Sequence, residues 1–289
     1  MRQWKLACLC LFTMMISGQV HAGEAGARAY ANAPVGLNVM ELLYFQSETS
    51  GGAFNSTTKA GMLRYYRYFE LFGQAALVGG YIPYASAYIT IPALGYYEQV
   101  KGISDPTFVI GMDFFGAPAV SFQEFCDYRQ DLIIGGSLQV IAPFGRYDKT
   151  RILNPGGNRW VFKPELAISQ AINDWIFEIY GNYHYFSRNH QYLGNLIHDQ
   201  KGRWGVDAHI SYTLKPGMWV SFDYLRQWSG ETSINTRPQG DKVRNTTIGF
   251  TANIPLFKSN AIQLEYRDDV KTRSLSQSRS FSFRFQQMW

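Results

Sequence analysis

The sequence is short of charge, of cysteine and of uninterrupted apolar runs. Only 17% of its 289 residues are charged, while 46% are hydrophobic. Disorder needs the reverse, low hydrophobicity with high net charge, and a coiled coil needs a composition dominated by Ala, Glu, Lys, Leu and Arg. Of the three cysteines, Cys8 and Cys10 fall within the first ten residues and Cys126 stands alone in the remainder. The body of the chain therefore has no internal disulfide to hold it together. The longest uncharged stretch beyond the N-terminus, Leu71 to Tyr97, contains Gln74, Gly79-Gly80, Pro83 and Pro92, so it is neither apolar nor regular enough for a membrane helix. Soluble-enzyme signatures are missing too. There is no phosphate-binding glycine loop, no metal-ligand pair at helical spacing and no C-x-x-C, and neither cofactor nor metal is expected.

Aromatic residues are what the chain has in excess, 19 Tyr, 20 Phe and 7 Trp. The first residues read as an export signal: Arg2 and Lys5 precede an apolar core from Leu6 to Ile16, and Val20-His21-Ala22 fits a cleavage site. Cleavage after Ala22 removes two basic residues, leaving 25 basic against 22 acidic and a net charge of +3. That is too weak and too scattered for a nucleic-acid footprint. Residues 23–36 then form a short N-terminal segment.

From residue 37 onward the dominant pattern is alternation with period two. Trp204, Val206, Ala208, Ile210, Tyr212 and Leu214 alternate with Gly205, Asp207, His209, Ser211 and Thr213. Trp175, Phe177, Ile179, Gly181, Tyr183 and Tyr185 share one face, opposite Glu178, Asn182 and His184. A strand with one apolar face reads this way and a helix does not. Twelve such segments can be marked, at 37–46, 60–69, 72–82, 106–116, 131–142, 159–169, 174–186, 202–214, 217–228, 244–254, 260–270 and 278–289. The first two are ambiguous, because Glu41, Arg64 and Arg67 interrupt either face. Short links (70–71, 170–173, 215–217, 255–259) alternate with long polar ones (47–59, 83–105, 143–158, 187–201, 229–243), with two exceptions: 117–130 is long where a short turn is expected, and 271–277 is short where a long loop is expected.

An even number of ~10-residue strands joined alternately by short turns and long loops is the layout of a bacterial outer-membrane barrel. The fold expected is all-β: a transmembrane antiparallel up-and-down β-barrel of about twelve strands, spanning 37–289, in the outer membrane of a Gram-negative bacterium. All six tryptophans after the signal lie near segment ends, as aromatic girdles require. Phe281, Phe283 and Phe285 alternate up to a terminal Trp289, an expected assembly signal for the barrel-assembly machinery. Outer-membrane lipids, that machinery and a small-molecule permeant are the partners implied.

Three stretches carry a family likeness. Ala142-Pro143-Phe144-Gly145-Arg146-Tyr147-Asp148 leads through Asn154-Pro155-Gly156-Gly157 into Asn158-Arg159-Trp160 and Phe162-Lys163-Pro164-Glu165. Asp105-Pro106 leads into Gly116-Ala117-Pro118-Ala119, and Pro34-Val35-Gly36-Leu37-Asn38 opens the barrel. With these the chain resembles the outer-membrane family named for the meta-pathway of phenol degradation, over nearly all of its length after the signal. The resemblance implies an outer-membrane barrel and transport, with aromatic or apolar permeants; the function expected is a passive channel for small molecules, and the alternative is a structural or surface-binding barrel whose long loops do the work.

Alternation assigns candidate lumen residues: Lys163, Glu165, Glu178, His209, Asp223, Glu265 and Arg267 lie opposite apolar positions. A turn at 170–173 sets Glu165 opposite Glu178, and two facing carboxylates need a cation between them or a shared proton; Lys163 is the nearest cation. This is a charged constriction that selects permeants, or a salt-bridge network that fills a narrow barrel. The Lys215-Pro216-Gly217 turn sets Asp223 opposite His209, beside Ser211. Ser, His and an acid make a hydrolase conceivable, but polar lumen lining explains them without chemistry and no catalytic residue is assigned. The link 117–130, with Cys126, reads equally as a short helix at the periplasmic mouth or as a surface turn.

Overall fold

The computed structural model describes residues 26–51, 54–257, 259–272 and 276–289. The export signal and Gly23 lie outside the described residues, as does part of the 271–277 connection. In chain order the strands are β1 (Asn38–Gly51), β2 (Asn55–Leu71), β3 (Gln74–Ile91), β4 (Tyr96–Ile103), β5 (Thr107–Phe115), β6 (Leu132–Ile141), β7 (Val161–Ile172) and β8 (Trp175–Phe186). There follow β9 (Asn189–Tyr192), β10 (Leu196–Gln200), β11 (Arg203–Lys215), β12 (Met218–Ser229), β13 (Thr232–Ile234), β14 (Arg237–Pro238), β15 (Val243–Phe257), β16 (Asn260–Thr272) and β17 (Ser276–Met288).

Each of the twelve expected segments is a strand of one antiparallel sheet that closes on itself. The first barrel strand, β1, pairs with the last, β17, from Val39 opposite Met288 to Gly51 opposite Ser276. Closure leaves no strand edge to satisfy, which is what lets a sheet cross lipid. No helix among the described residues is long and apolar enough to cross a membrane; the crossing is made by strands. Phe222, Tyr224, Ile210, Phe177, Ile179 and Phe250 are exposed on the outer face, while Asp223, Asp207, His209 and Tyr180 are buried inside. An apolar outside around a polar inside is a transmembrane barrel, and the chain sits in the outer membrane.

Short turns, Asn38 and Trp289 share one end, the periplasmic one. Asn38 and Trp289 exchange backbone hydrogen bonds, at 2.8 and 3.0 Å. Phe72 (φ 54°) and Gly73 (φ 77°) make a two-residue turn of the kind that matches strand twist. Trp175 and Trp289 are exposed at the periplasmic rim, Trp160 and Trp204 at the extracellular rim. Trp219 departs from the girdle: it is buried inside the barrel, under the Arg28 guanidinium at 4.9 Å.

The loops expected at 47–59 and 83–105 are mostly strand. β1 and β2 run on beyond the membrane, and β3 continues through Pro83 to Ile91 before returning as β4. Pro83 is tolerated because its missing N–H falls where β3 changes partner, from β5 (up to Tyr81) to β4 (from Tyr84). β4 and β5 together form one descending strand broken at Asp105-Pro106. Gly79 and Gly80 lie in the same region, and a Cβ at either would overlap a backbone carbonyl, of Tyr65 and Thr107 respectively. The loops 187–201 and 229–243 contain β9, β10, β13 and β14, which form a separate small sheet at the extracellular end.

Candidate functional site: a plugged lumen beneath an extracellular cavity

Residues 26–36 cross the inside of the barrel. Val35 N–H donates to the Val120 carbonyl (2.8 Å) and Asn32 Nδ2 to the Pro118 carbonyl (3.2 Å), so the start of the 117–130 link holds the segment at the periplasmic mouth. Tyr30 reaches across to Ser137 Oγ and Glu165 Oε1, both at 3.0 Å, and packs its ring on Tyr180 at 5.1 Å. Beyond it, Arg28 N–H donates to Glu178 Oε2 (2.7 Å), and its guanidinium donates to Ser211 Oγ (2.9 Å) and Thr213 Oγ1 (2.8 Å). Four strands and one link thus anchor a plug made mainly of Ala and Gly, small enough to thread a twelve-stranded lumen. The rest of the link is a surface feature: a helical turn, Phe122–Phe125, closed by a Ser121–Glu124 capping box, with Cys126 exposed.

The candidate lumen residues surround this plug. Lys163, Glu165, Glu178, His209, Asp223 and Arg267 are buried on the inner face, and Glu265 is half-buried beside them. Lys163 Nζ pairs with Glu165 Oε2 at 3.2 Å, and Arg267 Nε with Glu265 Oε1 at 2.9 Å. The expected Glu165–Glu178 opposition does not exist. Glu165 faces Asn182, and Glu178 faces Ser169. The cause is the turn: β7 runs on to Ile172, and Asn173 takes a left-handed φ of 54°, so the link is two residues rather than four. Glu178 instead meets the plug at Arg28 and the Tyr180 hydroxyl at 2.7 Å.

His209 does face Asp223, with Nδ1 to Oδ1 at 2.7 Å, and Ser221 and Thr251 also donate to that carboxylate. Ser211 takes no part in the pair. Its hydroxyl accepts from Arg28, and no hydrogen bond joins it to His209 among the described residues. Sequence reasoning also missed an inner cluster on the first two strands and the last. Glu41 lies 3.6 Å from both Arg64 and Arg284 and accepts from Gln286 at 2.5 Å. Glu41 and Arg64 both face inward, so they mark the lumen side of β1 and β2, whereas Arg67 is exposed outside.

Above the plug lies a cavity of about 350 Å³ whose lining reaches the extracellular strand ends. One wall is apolar, with Phe45, Met62, Tyr81, Ala85, Val100 and Leu153; the other carries Lys163, Arg159, His184, His198 and Arg203. The 142–160 loop folds onto the Asp105-Pro106 break to complete it. Asp105 accepts the N–H groups of Gly145 (2.9 Å) and Gly157 (2.7 Å), and Ser104 Oγ donates to the Pro155 carbonyl at 2.6 Å. Asn158 (φ 49°) turns the chain, which a non-glycine residue of this kind tolerates best, and donates to Asn189 at 2.9 Å. Trp160 is exposed outside, Lys163 and Glu165 point in, and outward Pro164, lacking an N–H, sits where the ladder to β8 is interrupted.

The small extracellular sheet covers part of this cavity through His198, whose ring packs on Tyr192 at 5.0 Å. Burial, then the Arg159 charge, push the His198 imidazole down from its usual 6.5 to about 4. A lowered folded value means the neutral ring is favoured in the closed sheet. The stabilisation is complete above pH 6.5 and is lost as the pH falls towards 4, because the opened sheet takes up the proton first. The opening free energy of β10 and β13, read from amide exchange corrected for its intrinsic pH dependence, should fall between those limits, and His198→Gln should flatten that fall; equal opening free energies at pH 7 and pH 4.5 in the wild type would count against this coupling.

Solved structures share the architecture. The COG4313 outer membrane channel from Pseudomonas putida F1 is 20% identical over 92% of this chain and 100% of that one, with a TM-score of 0.81. The transport unit of the autotransporter AIDA-I from Escherichia coli is 6% identical over 96% of this chain and 97% of that one, with a TM-score of 0.58. The beta domain of the Bordetella autotransporter BrkA is 14% identical over 86% and 98%, with a TM-score of 0.52. At these identities the likeness establishes the barrel fold. No curated protein matches the sequence. Residues 39–285 match the family described as "Putative MetA-pathway of phenol degradation", and the chain belongs to that family.

Proposed function

We infer that the barrel is a passive outer-membrane channel for small apolar or aromatic molecules, closed at rest by its own N-terminal segment. The observation that carries this reading is the plug itself. The lumen holds a ligand-sized cavity open towards the strand ends outside, and what stops it is a chain segment that belongs to no strand ladder. The apolar wall of the cavity, and the phenol-pathway description of the family, support apolar or aromatic permeants. A non-catalytic role is supported by the engagement of the Ser211 hydroxyl with Arg28 instead of His209. The final strand ending in Trp289 is the segment offered to the barrel-assembly machinery.

Selectivity is assigned to the charges between cavity and plug. Lys163 lines the cavity and is linked through Glu165 to Tyr30 of the plug. Lys163→Glu should therefore move the reversal potential of refolded protein in planar bilayers towards cations. An unchanged reversal potential, with a conducting and correctly folded barrel, would remove Lys163 from the permeation path.

A further inference from the structure

The cavity above the plug has a chemical asymmetry that an uncharged permeant does not use. Its most buried guanidinium is that of Arg159, 7% exposed, which lies over the Phe186 ring at 4.6 Å; Lys163, more buried still, is already paired with Glu165. Nη2 donates to Gln200 Oε1 at 2.6 Å, whereas Nη1 is buried with no hydrogen-bond partner. No ion pair reaches Arg159 among the described residues, and the nearby carboxylates are occupied elsewhere. Asp105 is held by the Gly145 and Gly157 N–H groups, Asp199 by Arg188 at 3.2 Å, and Asp241 by the backbone and hydroxyl of Thr232. A second guanidinium, that of Arg203, is close enough that it joins burial in lowering the Arg159 value to about 10. Asp105 and Asp199 favour its charge from beyond ion-pair distance, but a desolvated cation with no carboxylate in contact carries a standing cost that a bound anion reduces. A guanidinium fork matches the planar, two-oxygen geometry of a carboxylate better than it matches a hydroxyl or an amine.

We propose that the extracellular cavity is a binding site for apolar monocarboxylates, aromatic or medium-chain aliphatic, with the carboxylate at Arg159 and the apolar body against Phe45, Met62, Tyr81 and Val100. This deepens the channel reading by naming the charge class of its permeant, and rests on it only for the fate of the bound molecule. Arg159 is the recognition residue, and the apolar wall supplies affinity common to charged and uncharged ligands.

Equilibrium dialysis of amphipol-held, refolded protein against labelled octanoate, octanol and octylamine tests it. Octanoate should bind at least ~10-fold more tightly than either of the others, the scale of one charge-assisted hydrogen-bond pair. Arg159→Gln should abolish that preference and leave octanol unchanged, Arg159→Lys should keep part of it, and Ala87→Phe, which fills the cavity, should weaken octanoate and octanol together. Heat-dependent mobility on gels reports folding of each variant, and the three-ligand comparison on the wild type stands even if a variant fails to fold. Equal binding of octanoate and octanol, tighter binding of octylamine, or an Arg159→Gln variant that keeps the octanoate preference would each overturn the assignment. Bilayer conductance separates the two readings. A conducting barrel without octanoate preference defeats only the carboxylate site, and octanoate binding to a barrel that never conducts defeats only the channel.

Discussion

Deleting residues 26–33 should convert a nearly closed barrel into an open one, with single-channel conductance rising several-fold. The deletion leaves every strand ladder untouched, because β1 begins at Asn38 and closes on β17 without help from the plug. It also spares Val35, whose bond to Val120 ties the chain to the periplasmic link. What disappears is the set of side-chain and backbone bonds that carry the segment across the lumen, from Tyr30 at Ser137 and Glu165 to Arg28 at Glu178, Ser211 and Thr213. Each neutral hydrogen bond contributes ~0.5–1.5 kcal/mol net, and each one to a charged group ~1.5–3 kcal/mol, so single substitutions should loosen the plug by degrees. Tyr30→Phe removes both hydroxyl contacts while keeping the ring on Tyr180, and should raise opening frequency rather than unit conductance. A folded deletion variant with wild-type conductance would mean that the segment is not the obstruction.

The barrel was legible in the sequence because two solvents impose it. Lipid outside and a polar lumen inside force opposite demands on successive residues of a strand, and the chain records them as alternation. Where that record blurred, the cause is now visible. Glu41 and Arg64 looked like interruptions because each alone spoils a face, yet as an inward ion pair they belong to one. Pro83 looked like a strand end because the one-dimensional pattern does not show whether its N–H would have had an acceptor. Glu165 and Glu178 were mispaired because register depends on turn length, and Asn173 makes that turn two residues long. His209 and Asp223 do face each other, because a one-residue bulge between Thr213 and Lys215 offsets a turn that is also only two residues long.

The plug left no periodic trace. Residues 26–36 enter no ladder, and the contacts that carry Tyr30 and Arg28 across the lumen are made over 100 residues away in sequence, to Ser137 and to Ser211. Small residues between Arg28 and Pro34 were compatible with threading a narrow lumen, but composition alone does not say where a segment goes. The same holds for Arg159. The sequence placed it in the most specific family motif, whereas its isolation from carboxylates depends on how Asp105, Asp199 and Asp241 are already engaged.

Glu41→Ala should be the most destabilising single substitution of the lumen wall, by about 3–5 kcal/mol, the range for leaving buried charge uncompensated. Glu41 stands at the seam where the barrel closes: its cross-strand neighbours are Arg64 on β2 and Gln286 on β17. It is 4% exposed and Arg64 is 5% exposed. Arg284, two residues before Gln286 on the same inner face, lies at the same 3.6 Å as Arg64. One carboxylate therefore separates two guanidiniums, and its loss leaves them to repel across the joint between first and last strands. Glu41→Gln keeps the hydrogen-bonding shape without the charge and should fall in between. Glu41→Leu combined with Arg64→Leu should recover part of the loss, because removing both partners of a buried pair costs less than removing one. Urea-dependent folding into lipid vesicles measures all three, and the same Glu41→Ala barrel in planar bilayers should favour anions more than the wild type does. A Glu41→Ala barrel as stable as the wild type would show that lumen water already screens the two arginines, and that the seam is held by its ladder alone.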